Sequence, residues 1–233
     1  MIGCRVARIS VRLAVCIAVA ALVAGCAGGP PPAAWQLQAQ GAGERAIAAA
    51  LRGDTRIAEV EAAQQRQAVA RTGQPALLAR VALQHCAVRR ASLDWAPCER
   101  FDALREDAGP AERAYASYLS GRVDAGQIPL LPAWHRPAAQ RLLDSRPVAP
   151  ADIALLTAID DPLARLVAAA VWFHAGQGHP QVLALATETA SAQGWSRPLL
   201  AWLEVQARVA DQAGDALSGQ ALRRRMALVS GTR

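Results

Sequence analysis

The chain has 233 residues, of which 53% are hydrophobic, 19% charged and only 4% aromatic, and its formal net charge is +6. Close to a quarter of it is alanine, a composition that favours helix and argues against disorder. All 25 cationic residues are arginine, which excludes Schiff-base lysines, lysine general bases and P-loop lysines as working groups.

At the start of the chain, Arg5, Arg8 and Arg12 precede an unbroken apolar run of twelve residues, Leu13 to Ala24. A basic region followed by such a run reads as a secretory signal over residues 1–25. The run is too short for a spanning helix, which needs about 20 residues. Directly after it, Leu22-Val23-Ala24-Gly25-Cys26 resembles the lipobox of bacterial lipoproteins. The resemblance implies cleavage between Gly25 and Cys26, a diacylglycerol on the Cys26 sulfur and an N-acyl lipid on the new amine, with no other cofactor. Two or three acyl chains hold a protein firmly at a membrane, where one would be marginal. Because Ala27 rather than an aspartate follows the cysteine, the resemblance also implies the periplasmic face of the outer membrane. An ordinary signal cut near Ala24 or Ala27 is the alternative, and it leaves Cys26 incidental. Three of the six net positive charges lie in the expected signal, so the remaining chain is only mildly basic.

The stretch Gly28-Gly29-Pro30-Pro31-Pro32-Ala33-Ala34 reads as a tether, because neither helix nor sheet tolerates it. Residues 26–42 are assigned to the lipidated cysteine and this tether, and residues 43–233 to a single helical domain. Within that domain, helices are expected over 54–72, 75–91, 110–120, 134–144 and 163–173, with another starting at Pro198. The helix after Asp54 carries three glutamines and a weak apolar stripe, so it is expected at an edge. In Leu163 to Phe173 the only charge is Arg165, which marks the centre of the core. Pro162 and Pro180 fit the first turns of helices, with Asp161 and His179 as caps in front. Gly176, Gly194 and Gly214 stand where helices end. Pro162 and Pro198 are 36 residues apart, and Gly214-Asp215 and Gly53-Asp54 repeat a turn signature. In these features the chain resembles tetratricopeptide-type repeats. The fold class is therefore all-α: antiparallel helical hairpins, extending to a short TPR-like α-solenoid.

Cys86 and Cys98 remain once the signal and Cys26 are set aside. In an oxidising compartment a disulfide is the simplest use of two cysteines twelve residues apart. Free buried thiols are the alternative. His85 with the two cysteines supplies at most three zinc ligands, two of them about 100° apart on a helix, so no metal site is expected. No pair of histidines has metal-binding spacing. His174 shares a face with Leu163, Val167 and Ala170 and reads as a core histidine. Ser120 and Ser218 lack the tight glycine-flanked turn of a nucleophile, Asp160-Asp161 reads as a helix start, and Glu106-Asp107 as solvated. No catalytic residue is assigned.

Arg223 and Arg224 are candidate anion contacts, whereas Arg225 falls near the centre of an apolar arc of Leu217, Ala221, Leu222, Met226, Leu228 and Val229. There it would need a carboxylate partner. Trp172, Trp195 and Trp202 suit core packing, and Trp95 with Trp134 are candidates for lining a groove. These features describe a non-enzymatic, membrane-anchored helical domain that recruits another envelope protein, without nucleic acid or a small-molecule cofactor. Rival readings are a binding module for lipid, glycan or peptide and an envelope hydrolase or transglycosylase.

Overall fold

The computed structural model describes residues 31–144 and 146–231, so the expected signal, Gly25 and Cys26 lie outside the described residues. Those that are described form helices and turns, with no strand among them. From Trp35 onward the chain is one contact unit. Its longer helices are α1 (Ala34–Arg52), α2 (Thr55–Ala70) and α3 (Pro75–Ala91), then the single turn α4 (Glu99–Asp102) and α5 (Pro110–Leu119). After 3-10 turns at Ala125–Leu130 and Ala133–His135 come α6 (Arg136–Leu142), a third 3-10 turn (Pro150–Asp152) and α7 (Ile153–Thr157). The chain closes with α8 (Pro162–His174), α9 (Pro180–Ala192), α10 (Ser196–Gln212) and α11 (Ala216–Ser230).

The expected tether does not extend to residue 42. Helix α1 starts at Ala34, and residues 34–42 belong to it although Gly41 and Gly43 weaken a helix. The reason for the second glycine is across the hairpin: a Cβ on Gly43 would collide with the Gln65 side chain of α2. Arg45 pairs with Glu61, and Arg71 donates to Gln38, so α1 and α2 run antiparallel. Helix α2 buries only Gln65, Ala68 and Val69, as its weak stripe implies.

Helices α3 and α8 pack on each other and form the centre. Leu166 to Trp172 are all buried, and α3 contributes Ala79, Ala82, Leu83, Cys86 and Ala87 to the same core. Helices α8 to α11 then pack in succession, each on the next. That run of hairpins matches the expected architecture, but the segment from Gly121 to Asp160 does not, being built from short helices and 3-10 turns. Pro129, Pro132, Pro137, Pro147 and Pro150 crowd it and prevent long helices. Asp161 caps α8 by accepting from the Ala164 amide (2.6 Å), and His179 Nδ1 accepts from the Gln181 amide (3.2 Å).

The C-terminus of α3 is where these groups meet. Leu93 turns the chain there with φ of 58°, a left-handed conformation that is costly for a branched side chain. Arg90, 3% exposed, holds the turn. Its guanidinium donates to the carbonyl oxygens of Leu119 (2.9 Å), Asp94 and Ala96 (3.1 Å) and touches Cys98 Sγ at 3.3 Å. Trp95 lies over that guanidinium, 4.9 Å from ring centroid to carbon, and stacks at 3.7 Å on His174 of α8. One residue further on, the Ala91 carbonyl accepts the indole N–H of Trp202 from α10 (3.1 Å). Cys86 and Cys98 sit at disulfide-bonding distance under the same turn, their Cα atoms 5.9 Å apart.

Trp202 is fully buried, and its ring meets Phe173 edge-on at 5.8 Å. Trp202→Phe keeps most of that packing but leaves the Ala91 carbonyl without its donor. Urea unfolding of this variant is expected to show a loss of about 1–3 kcal/mol; an unchanged midpoint would mean that another group satisfies the carbonyl.

Candidate functional site

Between α3, α5 and α8 the structure leaves a pocket of about 500 Å³. Its walls are apolar: Leu83 and Ala87 from α3, Leu163 and Val167 from α8, and Leu130, Leu131 and Pro132 from the 3-10 segment. At the mouth, Trp134 is 55% exposed and Leu130 42%. Two prolines force this geometry. Pro132 and Pro137 bracket the 3-10 turn Ala133–His135, and the turn points Trp134 outward and His135 inward.

His135 is 1% exposed and lies among the tyrosines of α5, its ring 5.0 Å from Tyr118 and 5.7 Å from Tyr115. The Tyr118 hydroxyl is 3.4 Å from His135 Nδ1. Burial pushes the His135 pKa down to about 4 and raises both tyrosine hydroxyls, so all three are neutral in ordinary conditions. At the rim, burial pushes the Glu112 carboxyl up, but the hydrogen bond from Arg80, with backbone amides of Glu112 and Gly109, holds it lower overall. Asp161 is occupied in capping α8. Among the described residues that line the pocket there is no serine, threonine or cysteine.

A second polar cluster lies apart from this pocket. Asp152 accepts from both Arg146 guanidinium nitrogens (2.7 Å each) and from the Ala149 amide (2.8 Å), while the buried Arg141 Nε lies 2.9 Å away. Those partners hold the Asp152 carboxyl well below the usual carboxylate range, the Arg146 bond being the largest cause. Arg141 in turn donates to the carbonyls of Arg146 and Pro147. This cluster ties down the irregular stretch before α7.

Several sequence expectations change here. His174 is exposed and stacked on Trp95, while the buried histidine is His135. Its helix ends at His174, so the ring extends past the core onto Gly121, where an added Cβ would come within 2.7 Å of His174 Cδ2. Trp95 and Trp134 do not share a groove, since Trp95 is taken up by Arg90 and His174. Arg225 is exposed, because α11 lies on α10 through Gly219, Leu222, Met226 and Val229, leaving Leu217 and Leu228 more than 80% exposed. Arg223 pairs with Asp211 of α10, and Arg224 stands exposed. Among the described residues no three metal-ligating side chains converge, and no helix is long and apolar enough to cross a membrane.

Searches against protein-family models, curated proteins and solved structures find no match to this chain.

His135 and His85 both have their pKa lowered to about 4, His135 by burial and His85 by burial first and then by the charges of Arg66 and Arg100. In the unfolded chain each titrates near 6.5. Between about pH 6.5 and 4 the unfolded chain binds protons that the folded one refuses, so stability falls as pH drops, by at most about 1.4 kcal/mol per pH unit for each histidine. Urea unfolding across that window should therefore give a shallower pH slope for His135→Phe than for the unaltered protein. Parallel slopes would show that His135 is not held neutral.

Proposed function

We propose that this chain is a lipid-anchored bacterial envelope protein whose helical domain is a non-enzymatic binding module. It would recruit a protein partner by receiving an apolar side chain in the pocket beside Trp134. The anchoring half of the reading rests on Leu22-Val23-Ala24-Gly25-Cys26 behind a basic, apolar leader, and the outer-membrane destination on Ala27. The binding half rests on a single observation: an open pocket of about 500 Å³ with apolar walls and two large apolar residues exposed at its mouth. Sites of this size, with a few fixed polar groups on apolar walls, are typical of binding. A non-enzymatic role is favoured because Glu112 is engaged by Arg80, Asp161 caps a helix and, among the described residues, no serine, threonine or cysteine lines the pocket.

The same volume also suits a small apolar ligand, which is the second reading. A photocrosslinking amino acid in place of Trp134, introduced into the full chain in cells, separates the two. Discrete adducts with another envelope protein are expected, and Ala164→Trp, which fills the pocket, should abolish them. Adducts with small molecules alone would favour the second reading. Adducts that persist at full yield in Ala164→Trp would contradict both.

A further inference from the structure

The pocket beside Trp134 has aliphatic walls on α3 and α8, but the wall formed by α5 and the proline-bracketed turn is aromatic and carries polar atoms. There the rings of Tyr115 and His135 stand 5.7 Å apart and 29° from parallel, and both line the cavity. His135 is 1% exposed, and the little that its ring leaves uncovered opens into this pocket. Its Nδ1 is turned to the Tyr118 hydroxyl, and Tyr118 is not part of the lining. The other ring nitrogen, Nε2, has no hydrogen-bond partner among the described residues, and neither has the Tyr115 hydroxyl. Burial keeps both groups neutral.

The remaining polar side chains around the cavity are already engaged. Glu112 pairs with Arg80, Asp161 caps α8 and the Gln84 carbonyl accepts from Gln65 (3.0 Å). The unmet hydrogen-bonding capacity of the pocket is therefore concentrated on one wall, at Nε2 and the Tyr115 hydroxyl. An aliphatic side chain or a phenyl ring seated there would displace water from both groups and offer nothing in exchange, which is costly for buried polar atoms. A hydroxyl both donates and accepts, so it matches Nε2 in either tautomer of a neutral imidazole and can meet the Tyr115 hydroxyl in either sense. An indole N–H only donates, and a thioether is at best a weak acceptor.

We propose that the pocket reads a tyrosine of the protein partner, with the ring lying against Trp134 and the aliphatic walls and the hydroxyl hydrogen-bonded to His135 Nε2 and Tyr115. His135 and Tyr115 are then the specificity-determining residues of the site. Tyrosine suits the place on general grounds as well, being among the side chains that dominate interface energetics when they fill a pocket. This inference rests on the reading that the pocket receives a partner's side chain, and it adds which side chain that is.

Ligand-observed NMR on the full chain in dodecyl maltoside tests it, with N-acetyl-tyrosinamide and N-acetyl-phenylalaninamide as probes. Ala164→Trp, which fills the pocket, supplies the blank for partition of the probes into micelles. Above that blank, the tyrosine probe is expected to bind at least about tenfold more tightly than the phenylalanine probe, as the loss of a hydrogen bond at a buried group implies. His135→Phe and Tyr115→Phe keep a ring in place, and each should narrow that ratio while the phenylalanine probe binds as before. A merely structural role would weaken both probes together and leave the ratio unchanged, and the second variant keeps the test decisive if the first fails to fold. Equal binding of the two probes to the unaltered protein would overturn this inference and leave the pocket reading standing. Neither probe binding above the Ala164→Trp blank would overturn both.

Discussion

A buried guanidinium without a carboxylate organises this domain. Arg90 ends helix α3, and its fork is filled with main-chain carbonyls: one from the end of α5, two from the turn that follows α3. Those carbonyls would otherwise be orphans, because the last turn of a helix and a tight loop both leave acceptors unpaired. The charge in turn avoids the expense of a buried cation by accumulating partial negative charge from three dipoles. Helices α5, α8 and α10 all meet α3 close by. Trp95 covers the guanidinium and carries the contact to α8, the Cys86 and Cys98 sulfurs lie beneath it, and Trp202 brings in α10 one residue away. The strained Leu93 persists because so many groups around it agree on one geometry.

A second constraint is the small size of the core side chains. Ala168, Ala169 and Ala170 of α8 are fully buried, and α3 offers Ala79, Ala82 and Ala87 toward the same interior. Small residues let helix axes approach, at the lower end of the 8–10 Å usual for packed helices. The largest buried side chains are Trp172 and Trp202, and their indole N–H groups are put to use. Trp172 donates to the Ala138 carbonyl at 3.0 Å as Trp202 does to Ala91, so each indole both fills space and satisfies an acceptor near a helix end. Where α5, α8 and the proline-bracketed turn leave a gap that alanines do not fill, the pocket beside Trp134 remains open.

The helical segments were legible because their signals are local. Pro75 and Ala91 bound α3 as read, Asp161 and His179 cap where they stand before prolines, and the charge-poor Leu163 to Phe173 is indeed central. The start of α1 was set too late, at residue 43 instead of Ala34, and Gly43 lies inside the helix to admit Gln65, a contact 22 residues away that no local pattern announces. Arg225 was misplaced because an exposed terminal helix need bury only a narrow stripe, so Leu217 and Leu228 carried no information about its inner face. The pocket and the Arg90 turn were illegible for a related reason. Both join residues brought together by the irregular stretches 94–98 and 125–135, where periodicity says nothing. Tyr115 and Tyr118, three apart on one face of α5, were the one local hint that an aromatic partner such as His135 stood opposite.

The domain therefore depends most on Arg90, and Arg90→Lys isolates what its fork contributes. Lysine keeps the charge and most of the aliphatic stem but presents a single ammonium, which cannot reach the Leu119, Asp94 and Ala96 carbonyls together. Equilibrium urea unfolding, followed at tryptophan fluorescence and far-ultraviolet circular dichroism, should show a loss of about 2–4 kcal/mol, with both signals moving together. A lysine variant as stable as the unaltered protein would contradict the claim that this guanidinium holds the domain together.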